Sequence, residues 1–156
     1  MKFAKRTYLA QVITYGIILF LLCSIILFTT GLFAFVKLGF FSDEKALEYA
    51  LLLVLMLIAS AIALGFVLLI AFQFFASLGL LKALKVSPQA FLAKTKSRKI
   101  NTAFGLLTII AGVVAIFVIS EIILSIVLGI LTTTILIFLT LDKISLKRFL
   151  LDSESN

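Results

Sequence analysis

Histidine and tryptophan are absent from this 156-residue chain, cysteine and proline occur once each, and only 13% of the residues are charged. Each shortage removes a class of chemistry. With no histidine and a single thiol, Cys23, the usual nitrogen and sulfur ligands of zinc, copper, haem and iron–sulfur clusters are missing, so neither a metal nor another cofactor is expected. A lone cysteine cannot form an intramolecular disulfide, and Cys23 is expected to pack as a small apolar group. No glycine-rich phosphate loop and no nucleophile elbow occurs either.

Apolar residues are what the chain has in abundance, at 63% of the total with 16 phenylalanines, and the mean hydropathy is +1.32. A water-soluble domain carries about 45–50% apolar and about 25% charged residues. The balance here leaves too little polar surface to face water, so bilayer lipid is the expected solvent. Once the apolar runs are assigned, no stretch remains that is able to bury a second, soluble core, and a single transmembrane module over 1–156 is expected.

The uncharged runs set the number of crossings. Residues 7–36 and 49–81 are free of charge, and 102–141 hold one charged residue, Glu121. About 20 helical residues cross the hydrocarbon core, and forty would measure about 60 Å, twice its thickness. The last run therefore folds back on itself near Glu121. The runs are too long and too uniform for barrel strands, and helices satisfy their own backbone groups where lipid cannot. The expected architecture is an all-α membrane protein, a four-transmembrane-helix bundle with spans at about 8–36, 47–81, 102–119 and 122–141. Ser42-Asp43-Glu44-Lys45 has the chemistry of a helix start for the second span, and Ser120-Glu121 that of a cap and dipole-complementing acid for the fourth.

Between the spans lies a basic segment, 82–101, with Lys82, Lys85, Lys94, Lys96, Arg98 and Lys99. Ser87-Pro88 within it fits the start of a short helix. A tail follows at 142–156, beginning Asp142-Lys143 and ending in a polar stretch expected to be irregular. Four crossings put Lys2, Lys5 and Arg6, the six bases of the middle segment, and Lys143, Lys147 and Arg148 on one side, twelve against Lys37 and Lys45 on the other. This bias is the positive-inside pattern and makes both termini, the 82–101 loop and the 142–156 tail cytoplasmic. Lys94, Lys96, Arg98 and Lys99 are candidate contacts for anionic lipid headgroups. A nucleic-acid partner is not expected, since Phe91 is the one aromatic residue among these bases and no recognition motif accompanies them.

The span interiors so defined hold no Asp, Glu, Lys or Arg, the groups on which intramembrane chemistry depends. Their polar residues are uncharged, chiefly Gln11, Thr14, Tyr15, Ser60, Gln73, Ser77 and the cluster Thr132, Thr133, Thr134. Gln73 stands out, set among Phe72, Phe74 and Phe75. Together with Glu121, Gln73 and the three threonines are candidates for a polar path or for helix–helix contacts. Small residues at spacing four, Ala61 with Gly65, Thr108 with Gly112, Ala111 with Ala115 and Ser125 with Gly129, offer faces for close helix approach. Lacking an acid, base and nucleophile set, the chain is expected not to be an enzyme. The expected role is a non-catalytic accessory or scaffold subunit of a membrane complex, with other membrane subunits or itself as partner. A small oligomeric transporter or channel is the alternative.

Overall fold

The computed structural model describes residues 1–37 and 46–155, with side chains for 1–34 and 48–155. All regular structure among them is helical: α1 (Lys2–Lys37), α2 (Ala46–Val86), α3 (Pro88–Ala93), α4 (Thr95–Val118) and α5 (Ile122–Glu154). Four of these are long and apolar enough to cross a membrane: Lys2–Ala34, Glu48–Val86, Thr95–Val118 and Ile122–Glu154.

Helical hydrogen bonding runs beyond the apolar limits read from the sequence. The segment 82–101 holds the end of α2, all of α3 and the start of α4, and the tail continues α5 as far as Glu154. The flanking residues are mostly Lys, Leu, Arg and Ala, good helix formers with no glycine to stop them, so polarity changes there without a change of backbone conformation. The helix start expected at 42–45 lies outside the described residues.

Three breaks interrupt the helices after α2, at Ser87, at Lys94 and at 119–121, and the first and last have different causes. At Ser87 the backbone is extended, the hydroxyl oxygen accepts the Ala90 amide, and Pro88 opens α3; that bond is 3.0 Å long. Proline loses nothing at this position because its missing N–H would be unpaired. Between α4 and α5, Ile119 and Glu121 are both extended. Here Glu121 does not cap: it occupies the N-cap position but its side chain makes no cap hydrogen bond. The α5 start is tied instead by Ser125, whose amide bonds to the Glu121 carbonyl at 3.0 Å and whose hydroxyl reaches the Ile119 carbonyl at 3.4 Å.

The chain divides into two units, one of Met1–Gly16 with Leu69–Asn156 and one of Ile17–Leu68. The first unit packs segments of all four long helices. Its apolar cluster, at the end that carries both termini, includes Tyr8 of α1, Leu80 and Leu84 of α2, Phe91 of α3 and Phe149 of α5. Phe91 lies between Tyr8 and Phe149, with ring centroids 5.8 and 5.0 Å away. The N-terminal amine stands 3.9 Å from the Asp152 carboxylate.

Along α4 the buried residues are Asn101, Gly105, Thr108 and Gly112, a 4-3-4 spacing that matches the 3.5-residue seam of left-handed helix packing. The two glycines let α5 come close. A Cβ at Gly105 would sit 2.8 Å from Leu139, and one at Gly112 would collide with the Thr132 methyl. The second unit holds the far part of α1 and the near part of α2, joined by a hydrogen bond of 2.9 Å between the Thr29 and Ser60 hydroxyls. The surface of its described residues is largely apolar, with Phe20, Leu27 and Phe28 each more than two-thirds exposed, as lipid-facing side chains are. Cys23 is exposed too, not packed.

Candidate functional site

Inside the first unit the helices meet along a polar seam. Thr7, Tyr8, Gln11 and Tyr15 are all buried; Tyr8, Gln11 and Tyr15 follow at steps of three and four residues and Thr7 stands four before Gln11, which puts them on one side of α1. Asn101 and Thr108 line the α4 face, Gln73 and Ser77 the α2 face, and Thr132, Asp142 and Ser145 the α5 face.

The seam is built in layers. Nearest the termini, the Tyr8 hydroxyl donates to the Asp142 carboxyl, and the Ser145 hydroxyl lies 3.4 Å from that of Thr7. One turn further along α1, Gln11 joins three helices. Its amide nitrogen donates to the Phe138 carbonyl at 3.3 Å, and its oxygen accepts the Ser77 hydroxyl at 2.9 Å and the Asn101 amide at 3.5 Å. In the next layer the Gln73 nitrogen donates to the Thr108 hydroxyl at 2.8 Å and to the Phe104 carbonyl at 3.4 Å. Tyr15 belongs here also, its ring edge-on to Phe138 at 5.6 Å. Two buried atoms in this layer have no partner, the Tyr15 hydroxyl and the Gln73 side-chain oxygen.

The residues singled out from sequence fall in different places. Gln73 is fully buried and bonded to Thr108. Thr132 is buried against Gly112, its hydroxyl turned to the Leu128 and Gly129 carbonyls of its own helix, both at 3.0 Å. Thr133 is exposed and Thr134 half-buried, and their hydroxyls donate to the Gly129 and Ile130 carbonyls of their own helix. Glu121 is exposed as well. The five residues are therefore not assembled into one lining: Gln73 and Thr132 are buried, Thr134 is half-buried, and Thr133 and Glu121 are exposed.

The candidate headgroup bases also divide. Lys94, Lys96 and Lys99 are exposed, whereas Arg98 is half-buried. Its guanidinium donates to the Phe91 and Leu92 carbonyls at 3.0 and 2.7 Å, closing the C-terminal end of α3, and lies 5.1 Å from the Phe91 ring centre.

Asp142 is the residue that sequence reasoning missed. Placed by its position as the first residue of the tail, it is 6% exposed in the fold and is the acid that ties α5 to α1. A signal for it did exist. The buried positions of α5 include Thr132, Ile135, Leu139, Asp142, Ser145 and Phe149, steps of three and four residues, so Asp142 lies in phase with the inward face of its helix. An ionisable side chain enclosed among spanning helices is the kind of feature that marks a functional position in membrane proteins.

Chemically, the seam is a set of interhelical hydrogen bonds that reaches all four long helices, each bond typically near 0.6 kcal/mol in a membrane. No family model matches the chain, and neither a curated protein nor a solved structure matches it, so its function is argued from this geometry.

Proposed function

We propose that the chain is a four-span integral membrane protein that serves as a non-catalytic accessory or scaffold subunit of a membrane complex. The observation that carries this reading is where its polarity lies. In the first unit buried polar side chains bond from helix to helix, while the described residues of 17–68 present a largely apolar surface on which Ala61 and Gly65 are exposed. A Cβ added at Gly65 would meet nothing within 4 Å. A small-residue face left open on a spanning helix suits close approach by another helix.

Both termini, 82–101 and the tail belong on the cytoplasmic side in this reading. The bases of those segments are the twelve that outnumber Lys37 and Lys45, and α3 packs against Tyr8 and Phe149 at the same end of the unit as the termini. The test is extraction of the full chain from its native membrane in a mild detergent, followed by mass spectrometry of what co-purifies. A stoichiometric membrane partner, or a defined oligomer of the chain, is expected. A bare monomer would overturn the proposal.

A second reading, a small oligomeric transporter or channel, is favoured by one specific observation: Asp142 and the partnerless Tyr15 hydroxyl and Gln73 oxygen all lie on the same seam. It requires ion or solute flux in proteoliposomes that is lost in Asp142→Asn with folding intact. Absence of flux across a broad solute panel rules it out.

A further inference from the structure

A groove of about 540 Å³ runs between α4 and α5 at the end that carries the termini. Its lining changes character along its length. Arg98, Lys99 and Lys143 bring three cations to it, and Ala103 and Leu106 continue it deeper along α4. From Lys99 to Leu106 is seven residues, about 10 Å of helix, so a charged mouth passes into an apolar channel over the distance that separates a phosphate from the first part of an acyl chain. We propose that this groove binds one anionic phospholipid, the phosphodiester at Arg98, Lys99 and Lys143 and an acyl chain along Ala103 and Leu106. The inference rests on the membrane reading and goes beyond it by naming the site and the lipid class.

Three observations support this occupant. The groove also contains one acid, Asp142, but its carboxyl already accepts the Tyr8 hydroxyl, and three cations against one carboxylate leave a local excess of positive charge. Arg98 is held in place by the two carbonyls it caps, which occupy two of its five N–H donors and leave the rest for a phosphate. Lys99, Lys143 and Leu106 are exposed, so the mouth and the apolar part are both open to lipid. A free inorganic phosphate would use the mouth alone and leave the apolar part empty.

The test uses the full chain reconstituted in nanodiscs of phosphatidylcholine with a minor fraction of phosphatidylglycerol, with retained lipid read by native mass spectrometry. One phosphatidylglycerol is expected to stay bound in preference to phosphatidylcholine. The double variant Lys99→Gln/Lys143→Gln should lower that retention by at least about tenfold. Leu106→Trp, which keeps every cation and fills the apolar part, should lower it comparably; Leu106 is 51% exposed, so the larger ring does not enter the core, and unchanged helicity verifies folding. Lys82→Gln/Lys85→Gln removes the same charge from two exposed bases outside the groove and should leave retention unchanged. An equal loss in that control assigns the effect to diffuse surface charge and overturns the proposal. So does competition by inorganic phosphate combined with insensitivity to Leu106→Trp, which assigns it to a free anion. Resistance of the wild-type chain to alkaline carbonate extraction checks the membrane reading separately: a chain that resists extraction yet shows no lipid preference lacks the site, whereas one that is extracted refutes both.

Discussion

The Tyr8 hydroxyl hydrogen-bonds the Asp142 carboxyl across 134 positions of sequence, joining the first helix to the last inside the packed unit. Tyr8→Phe keeps the ring that packs on Phe91 and removes only the donor, leaving a buried carboxyl unsatisfied. The expected loss is about 1–3 kcal/mol of stability, measured as thermal unfolding in mild detergent. Asp142→Asn retains an oxygen to accept from Tyr8 and should lose less. Equal stability of Tyr8→Phe and wild type would show that the bond contributes nothing.

The contact of α4 with α5 depends on a missing side chain. Gly112→Ala places a methyl against the Thr132 methyl, and overpacking of this kind costs about 1–3 kcal/mol. Thr132→Ser deletes the opposing methyl and should restore most of that loss in the double variant. Gly65→Ala, set where nothing lies within 4 Å, should leave the isolated chain as stable as before while weakening association with a partner helix. Unfolding temperatures of the four proteins, with co-purification for the last, check the set. A Gly112→Ala protein of wild-type stability would argue against the close approach.

Gln73→Leu removes the bond to Thr108 and at the same time the buried oxygen that has no partner. The two effects oppose each other, and interhelical bonds in membranes are modest, so the change in stability should stay within about 1 kcal/mol. Co-purification of a partner should survive it. Loss of a measured solute flux in a folded Gln73→Leu protein would instead favour the transport reading.

For topology, single cysteines at Ser42, Thr95 and Ser153 in a Cys23→Ser background should react differently with a membrane-impermeant thiol reagent on intact cells. Labelling is expected at Ser42 alone. Labelling at Thr95 or Ser153 would invert the orientation or change the number of crossings.

Run length and charge made the helices legible. Forty nearly uncharged residues had to fold back, and the fold does so at 119–121; Ser87-Pro88 had the chemistry of a helix start, and α3 begins there. Other features were hidden because hydropathy treats polarity as a boundary. Asp142 beside Lys143 looks like the end of a span, yet the helix passes through both and only Asp142 turns inward. Thr132, Thr133 and Thr134 look like one cluster, but at 100° per residue a helix spreads three successive side chains over most of its circumference, so only the first meets α4. Arg98 is indistinguishable by type from the lysines around it; its role at the end of α3 depends on two carbonyls that the turn at Lys94 brings within reach. The seam itself departs from the pattern of soluble proteins, with glutamine, asparagine and tyrosine buried between helices whose exposed faces are rich in leucine and isoleucine.

The layering of the seam also bears on the order in which the helices can assemble. The face of α1 that carries Tyr8 and Gln11 is synthesised well before two of the groups that satisfy it, the Phe138 carbonyl and the Asp142 carboxyl of α5. The Gln11 oxygen can be met as soon as α2 and α4 are in place, by Ser77 and Asn101, whereas the Tyr8 hydroxyl and the Gln11 amide wait for α5. Docking of α5 is thus the step that closes the polar face of α1 against lipid.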